Sequence, residues 1–576
     1  MSTFSALTPR FTWRGALRSA AHLALPRRSD YTELPSSWRK DLVAGVTVGI
    51  VALPLALGFG VASGVGATAG LITAIVAGFV AAVFGGSHFQ VSGPTGAMTV
   101  VLVPVVARYG AESVYALAIL AGVLVILMGL TGMGRLLSVI PWPVIEGFTL
   151  GIGVIIFLQQ VPLALDTAKP DGENAAVVAL DTLRVTYWDR ALTPLVVTVG
   201  VIALMLVLTR IRRSLPASLI AVAAATVVVE LVDLDIARIG ALPAALPSPS
   251  VPAFDASALA TMFPSAMAIA VLAALESLIS ARIADGMVEG VGHTHANREL
   301  VGQGLANAAS GLFGGMPATG ALARTAVNVR AGARTRAAAA SHALVLVLVV
   351  LVATPVVALI PMSALAGVLI VTALRMIDLG TARSILRATR SDAAVYLVTV
   401  GVTIVFDLIV AVQVGVAVAA FLSLRAMSRV SGLRRAPLEL DAAEEDALLD
   451  EHIAVYRFHG ALFFGATKQF LDEIATVRDV HVIVLVLTEV RVMDTSGANA
   501  LQEIVRDLQR RGITVLLKGL DADQLRMASS VGVLQSLGTK DHYFHDLRAA
   551  VAHARNHVRH ELGGLWSLEC ARPRVG

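Results

Sequence analysis

Residues 85–99 read GGSHFQVSGPTGAMT, an irregular stretch with four glycines and one proline between two long apolar runs. Pro94 has no backbone N–H and disfavours helical geometry in the residue before it, so we expect a helix to begin near Thr95. A helix that begins at membrane depth leaves its first N–H groups free, and together with the positive end of the helix dipole they form a site for an anion. The alternative is a kinked or re-entrant segment that binds nothing, because irregular backbone is also tolerated at that depth where it is buried in protein.

A second copy of this stretch lies in the other half of the chain. Residues 314–325 read GGMPATGALART; both copies open with Gly-Gly, contain a proline and reach Thr-Gly-Ala, and Thr319 follows Thr95 by 224 residues. Upstream, VALPLALG aligns with AALESLIS, so that Glu276 follows its counterpart Pro54 by 222 residues. Two agreeing offsets indicate an internal repeat. Segments interrupted by Gly and Pro at matching positions of two repeats predict the binding site of a transporter.

The composition is that of a polytopic membrane protein. The chain has 576 residues, of which 56% are hydrophobic and 15% charged, whereas soluble domains carry about 25% charged residues. The mean hydropathy is +0.76, and many apolar runs approach the roughly 20 residues that span a bilayer. The net charge of +4 is small, and the single cysteine, Cys570, excludes an intrachain disulfide bond.

The distribution of charge predicts the orientation. The N-terminal segment holds seven Lys and Arg against two acidic residues and lacks the apolar core of a cleavable signal peptide, so we expect it to stay in the cytoplasm. Fourteen spans follow: 41–63, 66–85, 92–107, 111–131, 139–160, 193–209, 217–234, 261–284, 299–314, 319–331, 338–360, 363–378, 393–409 and 411–427. This count places the Arg-rich connections at 210–213, 375–390 and 425–435 inside and residues 163–190 outside, and it makes both termini cytoplasmic.

Seven spans per copy is an odd number, so the second copy is expected to be inverted with respect to the first. The spans at 92–107 and 319–331 are too short to cross a bilayer alone. We therefore expect them to meet near the middle of the membrane with their N-termini facing each other.

The composition changes after the last span, where an acidic linker and a soluble pattern begin. Strands are predicted at 453–458, 480–487 and 514–518, and helices at 467–477, 496–511, 523–537 and 547–558. This alternation predicts a small α/β domain, with Thr495 at a strand-to-helix turn where a simple helix cap is the alternative to a phosphate site. The predicted organisation is a cytoplasmic segment at 1–40, a membrane domain at 41–430, a linker at 431–451, the α/β domain at 452–558 and a tail at 559–576.

With these motifs in order, residues 41–555 resemble the sulfate permease (SulP) family of anion transporters, and the C-terminal domain resembles the STAS domain shared with anti-sigma-factor antagonists. The resemblance rests on VALPLALGFG, QVSGPTGAMT, ALESLISARIADG, NRELVGQGLANAASGLFGGMPATGALARTAVNVRAGA and the C-terminal domain. It implies a seven-plus-seven inverted repeat in which a core domain moves against a gate domain. It also implies a dimer and the transport of sulfate, bicarbonate, chloride or dicarboxylates.

The repeat and the resemblance together predict the anion site. The two helix N-termini, at Thr95-Gly96 and Thr319-Gly320, would supply backbone N–H donors. Arg324 lies one turn into the second of these helices, where related anion transporters place a basic residue. We therefore predict that it supplies the counter-charge to the anion; the alternative is a snorkelling or structurally paired arginine.

The remaining site predictions concern the spans upstream of the two motifs. Pro54 is expected to break the first span, and Phe59 resembles the family's aromatic contact beside the anion, although ordinary packing would also explain it. Glu276 stands at mid-span, where a carboxylate costs roughly 2.5–3.5 kcal/mol; it is either the coupling-ion site or a structural partner of the arginine. The resemblance to sodium-coupled bicarbonate transporters implies Asp at the position of Glu276 and hydroxyl ligands for sodium on both helices. This chain keeps Ser280 but has Leu322 where a hydroxyl is expected, which favours protons over sodium.

We therefore predict a secondary active transporter of a small anion (sulfate, bicarbonate or a C4-dicarboxylate) that works as a proton-coupled symporter by alternating access. A sodium-coupled bicarbonate symporter and an uncoupled anion exchanger or channel are the alternatives. No enzyme or cofactor is expected, since the Walker, HExxH and CxxC motifs are absent from the sequence. The expected partners are lipid of the inner or plasma membrane, a second copy of the chain and a cytosolic regulatory protein at the STAS domain, where Thr495 resembles a phosphorylated position; no nucleic acid is expected.

Overall fold

The computed structural model describes residues 25–134, 141–170, 172, 174–212, 215–243, 245–252, 256–288, 293–406, 408–430, 432–436, 449–463 and 480–570. The contacts divide the chain into two compact units, Met1–Ala417 and Val418–Gly576. The predicted helix at 467–477 and most of the predicted linker at 431–451 lie outside the described residues.

The first unit is helical and follows the order of the two sequence copies. The helices of the first half are α1 Leu34–Ala62, α2 Ala67–Phe84, α3 Gly96–Tyr109, α4 Ser113–Leu130, α5 Trp142–Gln159, α6 Ala175–Val185, α7 Trp188–Ile211 and α8 Ala217–Val232. Those of the second half are α9 Ala256–Gly286, α10 Ala296–Leu312, α11 Leu322–Arg330, α12 Ala337–Ala358, α13 Met362–Met376, α14 Leu379–Ala388, α15 Arg390–Val405 and α16 Leu408–Val430, the last of which continues into the second unit. Short helical turns lie at Arg28–Tyr31 and Val161–Ala164.

Each predicted span coincides with one helix of this series. Within the described residues, eight helical stretches are long and apolar enough to cross a membrane by themselves, and three shorter apolar helices accompany them. The region predicted to lie outside the membrane, 163–190, contains α6, whose first amides are capped by the side chain of Asn174. That all fourteen helices cross the membrane stays a prediction.

One local prediction is wrong, and one predicted connection contains a helix. Pro54 does not break the first span: α1 runs without interruption from Leu34 to Ala62 with Pro54 buried inside it, as membrane helices allow when neighbouring groups satisfy the freed backbone. The Arg-rich connection at 375–390 is not a simple loop but contains the amphipathic α14. The carboxylate of Asp378 caps α14 by accepting hydrogen bonds from the amides of Gly380 and Thr381 at 2.8 and 3.2 Å.

The two broken segments meet as the repeat predicts. Strand β1 (Ser92–Gly93) and strand β2 (Thr319–Gly320) form an antiparallel pair in which Ser92 faces Gly320 and Gly93 faces Thr319. The amide of Ala321 continues the ladder by donating to the carbonyl of Val91 at 2.8 Å. Because β2 occupies positions 319–320, α11 begins three residues later than the sequence suggested.

The N-terminal segment is tied to the second copy by a buried ion pair. Asp30 accepts hydrogen bonds from Arg298 of α10 at 2.6 and 2.9 Å, and Arg336 lies 3.6 Å from the same carboxylate. Arg336 also donates to the carbonyl of Gly85, the first residue of the irregular stretch. Burial alone would raise the pKa of Asp30, but the hydrogen bonds from Arg298 and from the amide of Arg27 and the charges of both buried arginines lower it to about 2.

The second unit contains a five-stranded sheet in the order β3-β4-β5-β6-β7. Its strands are β3 Gly432–Ala436, β4 Ile453–Leu462, β5 Val482–Met493, β6 Thr514–Lys518 and β7 Tyr543–Phe544, and its helices are α17 Thr495–Arg510, α18 Ala522–Val531 and α19 Leu547–Cys570, with short turns at Val533–Ser536 and Lys540–His542. Strand β3 is antiparallel to β4, and the other neighbours are parallel. Successive residues of the central strands alternate between the two covered faces, as in β5, where Ile483 belongs to the cluster under α17 and Val484 to the cluster under α19.

Two features of this unit differ from the prediction. Strand β3 falls in the region predicted as linker, because a five-residue strand with two arginines, GLRRA, has no apolar alternation to reveal it. The helix predicted at 523–537 is divided at Gly532, whose φ of 96° ends α18 in a left-handed cap that favours glycine.

Candidate functional site

The N-terminus of α3 forms one side of the predicted anion site. Thr95 is the N-cap, and its hydroxyl accepts a hydrogen bond from the amide of Met98 at 3.4 Å. The ring of Phe59 lies beside this helix start, since a Cβ added to Gly96 would come within 3.4 Å of the Phe59 Cε1 atom. The hydroxyl of Thr99 donates to the carbonyl of Phe59 at 3.4 Å, which joins α3 to α1. The structure therefore brings Thr95, Gly96 and Phe59 together.

The N-terminus of α11 forms the other side and carries the charge. Its N-cap, Ala321, supplies no side-chain hydrogen bond to the first turn. Arg324 is 2% exposed and reaches into the other copy, where its Nη2 atom donates to the carbonyl of Pro94. Its Nη1 atom has no hydrogen-bond partner among the described residues. A buried guanidinium with a free N–H direction, held between two helix starts, is a ready counter-charge for an anion.

Arg324 can adopt this position only because the facing residue is glycine. Gly93 has a φ of 155°, and a Cβ at this residue would lie 2.6 Å from the Nη1 atom of Arg324. A side chain there would both strain the backbone and displace the guanidinium. Gly93 of the first copy therefore leaves the space that the guanidinium of Arg324 from the second copy occupies.

Glu276 lies where α9 passes the two helix starts. Its carboxylate accepts a hydrogen bond from the hydroxyl of Thr95 at 3.0 Å, and the hydroxyl of Thr319 is a second hydrogen-bonding neighbour. Among the described residues, no carboxylate lies within ion-pair distance of Arg324, so Glu276 forms no direct salt bridge with it. The two groups still interact electrostatically, so the alternative of Glu276 as a structural partner of the arginine stays a prediction.

The other two residues considered for the coupling ion lie elsewhere. The hydroxyl of Ser280 is fully buried and donates to the Thr325 hydroxyl at 3.3 Å, which in turn accepts from the amide of Val91 at 3.0 Å. Ser280 is therefore linked through Thr325 to the irregular segment of the first copy. Leu322 is 42% exposed at the first position of α11.

Sequence reasoning missed Ser277, which stands next to Glu276 and completes the second helix start. Its hydroxyl accepts a hydrogen bond from the amide of Gly320 at 3.0 Å and lies 3.1 Å from the hydroxyl of Thr319. Helical spacing favoured Ser280, which lies four residues from Glu276 on the same face of α9, whereas Ser277 is its immediate neighbour and points in a different direction.

Sequence reasoning also missed the polar side chains of α10 that hold both irregular segments. Glu299 accepts from the amides of Gly86 and Ser87 at 2.6 and 2.9 Å, and Gln303 donates to the hydroxyl of Ser92 at 2.6 Å. Asn307 donates to the carbonyl of Ala318 and accepts from its amide, at 2.9 and 2.8 Å. The available signal was the polar run NRELVGQGLANAAS inside an apolar span, since buried polar side chains must have partners.

Comparison with known proteins agrees with this architecture. A model of the sulfate permease family matches residues 38–399, which include both helix starts, Glu276 and Arg324. The chain belongs to the sulfate permease family. In this family member the C-terminal region, residues 446–550, also matches the STAS domain.

Similar proteins cover nearly the whole length of this sulfate permease family member. It is 34% identical over 519 residues to YvdB of Bacillus subtilis (strain 168), covering 88% of this chain and 96% of YvdB. It is 32% identical over 514 residues to the bicarbonate transporter BicA of Synechocystis sp., covering 86% and 90% of the two chains. The solved structure of the murine Solute Carrier 26 family member A9 anion transporter, in its inward-facing state, shares the fold with a TM-score of 0.81 at 17% identity, covering 96% of each chain.

Family membership confirms several predictions at once. The chain is a multi-pass membrane protein with a C-terminal STAS domain, and it belongs to a family of transporters rather than enzymes. The predicted helical membrane fold followed by a small α/β domain is confirmed. In the STAS domain, Thr495 is the first residue of α17 and its side chain is exposed, while the neighbouring Asp494 is the N-cap and accepts from the amide of Gly497 at 2.7 Å.

Proposed function

We propose that this sulfate permease family member is a secondary active transporter of a small anion, which it binds between the N-termini of α3 and α11. One observation carries the proposal: the two helix starts are joined by the β1–β2 pair, and the buried guanidinium of Arg324 lies between them with one nitrogen unpartnered among the described residues. Helix N-termini bind anions through free N–H groups and the helix dipole, and a buried arginine adds a full positive charge.

The substrate class follows from this chemistry and from the relatives. The site offers donors and positive charge, so it fits an anion that accepts several hydrogen bonds. Sulfate is the substrate in the family's name and bicarbonate in the name of BicA. We propose that the substrate is sulfate, bicarbonate or a C4-dicarboxylate. Each of these anions has several oxygen atoms that can accept hydrogen bonds from such donors.

For the coupling ion, we propose a proton carried by Glu276. The carboxylate lies beside Thr95, the residue that caps α3. Its charge therefore changes the electrostatic potential where the anion would bind. Protonation of Glu276 removes a negative charge that would repel the anion, and it lowers the charge that the loaded carrier moves across the apolar core. Anion and proton would then bind together and cross together by alternating access.

Sodium is the second candidate, and one observation favours it. The hydroxyls of Thr95 and Thr319 lie beside the Glu276 carboxylate, and the hydroxyl of Ser277 lies 3.1 Å from that of Thr319. A carboxylate with several hydroxyl oxygens is a ligand set for a hard cation. The sequence argument against sodium, which rested on Ser280 and Leu322, is weakened because neither residue lies in this group. An uncoupled exchanger or channel remains the third alternative.

Uptake into proteoliposomes tests the proposal. Labelled sulfate, bicarbonate and succinate are each offered with an inward proton gradient and no sodium, with a sodium gradient and no proton gradient, and with neither. We expect one of the anions to accumulate above its equilibrium distribution only with the proton gradient. Accumulation driven by sodium alone would reassign Glu276 to a sodium site, and equilibration without accumulation would identify an exchanger or channel.

For the STAS domain we propose a regulatory role, with both termini in the cytoplasm of a dimer in the cell membrane. The exposed Thr495 at the start of α17 is accessible to a kinase, and a phosphate there would be stabilised by the helix N-terminus. A chain truncated after Arg435 should still insert and bind the anion, with an altered transport rate. Loss of all anion binding in a normally inserted truncation would instead make the domain part of the site.

A further inference from the structure

Three histidines from two elements of the STAS domain converge on one place. His542 ends the short turn Lys540–His542, which leads into β7, whereas His553 and His557 lie one helical turn apart on α19. The centres of their rings are 5.0 to 5.6 Å apart in all three pairs. One ring nitrogen from each residue lies within 4.8 Å of the other two.

The orientation of two of the rings suits metal binding. The Nδ1 atom of His542 lies 3.1 Å from the carbonyl of Leu537, an arrangement that fixes the tautomer with Nδ1–H as donor and leaves Nε2 to coordinate a metal. The Nε2 atom of His553 is buried and has no hydrogen-bond partner among the described residues. A buried ring nitrogen without a partner is rare in proteins, and a bound metal ion is one way to satisfy it.

The helix that carries two of the histidines is held firmly. Ala550, Val551, Ala554 and Val558 of α19 are fully buried against the sheet. His553 and His557 share a neighbouring face of the same helix, because residues four apart in a helix lie on one side. This spacing of two histidines is the one that zinc-binding helices use.

We propose that His542, His553 and His557 bind one zinc ion in the STAS domain. Three imidazole ligands and a water molecule complete a tetrahedral zinc site with one open position. Zinc–nitrogen bonds of about 2.0–2.1 Å imply nitrogens roughly 3.4 Å apart in a tetrahedron, so the three rings must move together from their present separation of up to 4.8 Å.

The bound ion would join two parts of the domain that are otherwise linked by packing. His542 lies at the edge of the sheet next to β7, and the other two ligands lie on α19. Zinc therefore cross-links the C-terminal helix to the sheet edge, and the open coordination position faces a water molecule or a ligand from another molecule. The proposal is independent of the transported anion, since none of these residues belongs to the first unit.

The test uses the full-length protein, purified in detergent with a tag that contains no histidine and stripped with a chelator. Zinc affinity is measured by competition with a chromophoric chelator, and the melting temperature is measured with zinc or with magnesium. We expect one zinc ion per chain, a higher melting temperature with zinc only, and the visible absorption of tetrahedral Co²⁺ when cobalt replaces zinc. The His553→Ala and His542→Asn variants should each bind zinc at least about 100-fold more weakly, more than the 10–100-fold loss typical of outer-shell changes.

Two matched controls separate the site from general effects of histidine loss. His560 lies on the same helix and His545 near the same strand, and both are outside the cluster, so His560→Ala and His545→Ala should bind zinc as the unaltered protein does. His542→Asn lies off α19 and keeps the test valid if His553→Ala does not fold. Absence of stoichiometric zinc binding in the unaltered protein, or unchanged affinity in both His553→Ala and His542→Asn, overturns the proposal.

Discussion

The two copies of the repeat share a scaffold but differ in their chemistry. In the first copy, α3 is 14 residues long, is capped by Thr95 and has Val100 at the position that matches Arg324. In the second, α11 has nine residues, begins after the uncapped Ala321 and carries the buried arginine. The same contrast holds upstream, where Pro54 of the first copy matches Glu276 of the second.

The two copies therefore contribute different parts of the candidate site. The first copy provides a stable helix start, the aromatic ring of Phe59 and a glycine that admits the arginine. The second copy provides both ionisable groups. Four experiments test this division of roles and the stability of the scaffold that supports it.

Replacing the arginine should have the largest effect. Arg324→Ala removes the positive charge that lies between the helix starts, and losing one partner of a buried charged contact costs about 3 kcal/mol, or about 100-fold in affinity. Binding is measured on purified protein with whichever labelled anion the unaltered transporter accumulates. The matched substitution in the first copy, Val100→Ala, should leave affinity nearly unchanged. Equal losses in both variants would show that the copies contribute alike.

The buried ion pair of the N-terminal segment should have the next largest effect. Asp30→Asn leaves Arg298 and Arg336 without their counter-charge and should lower the free energy of unfolding by about 2 kcal/mol, whereas Glu33→Gln, at an exposed carboxylate nearby, should not. Because the pKa of Asp30 is lowered to about 2 in the folded protein from about 3.9 when unfolded, this stability is complete above pH 4 and is lost as the pH falls towards 2. The melting temperatures of the unaltered protein and of Asp30→Asn should therefore differ by a constant amount at pH 7 and 5, and should begin to approach each other between pH 4 and 3.

Neutralising the carboxylate should uncouple transport without abolishing it. Glu276→Gln mimics the protonated form, so anion exchange should continue. Accumulation driven by a gradient of one pH unit, which is worth about 1.4 kcal/mol or tenfold for one proton per anion, should disappear. The control is Glu230→Gln, at a partly exposed carboxylate near the end of α8 that pairs with Arg238. Retained proton-driven accumulation in Glu276→Gln would place the coupling site elsewhere.

Exchanging the caps should give the smallest effects and tests the helix starts directly. Thr95→Ala removes the cap of α3 and should lower the free energy of unfolding by about 1 kcal/mol. Ala321→Ser adds a cap to α11 and should raise it by about 0.5 kcal/mol. The new hydroxyl would occupy an N–H group that otherwise faces the anion, so affinity should fall about twofold. Unchanged affinity in Ala321→Ser would mean that the amides of α11 do not contact the anion.

Much of the fold could be predicted because the repeat and the apolar runs are long-range patterns. Proline and glycine located the helix start next to Thr95 to within one residue, and the two matching offsets predicted that the broken segments meet. The sequence could not reveal that α1 passes through Pro54 intact, since that depends on neighbouring helices. It also could not show which serine of α9 lies at the second helix start. Ser277 contacts Gly320 there, whereas Ser280 contacts Thr325.

The pairing of β1 with β2 also has a consequence for synthesis of the protein. Gly320 follows its partner Ser92 by 228 residues, which a ribosome needs roughly 11–46 s to add at about 5–20 residues per second. During that interval the backbone groups of residues 91–93 are without the strand that satisfies them, and so are the amides of Gly86 and Ser87, which wait for Glu299. The first half of the molecule is therefore synthesised before the native partners of these backbone groups exist.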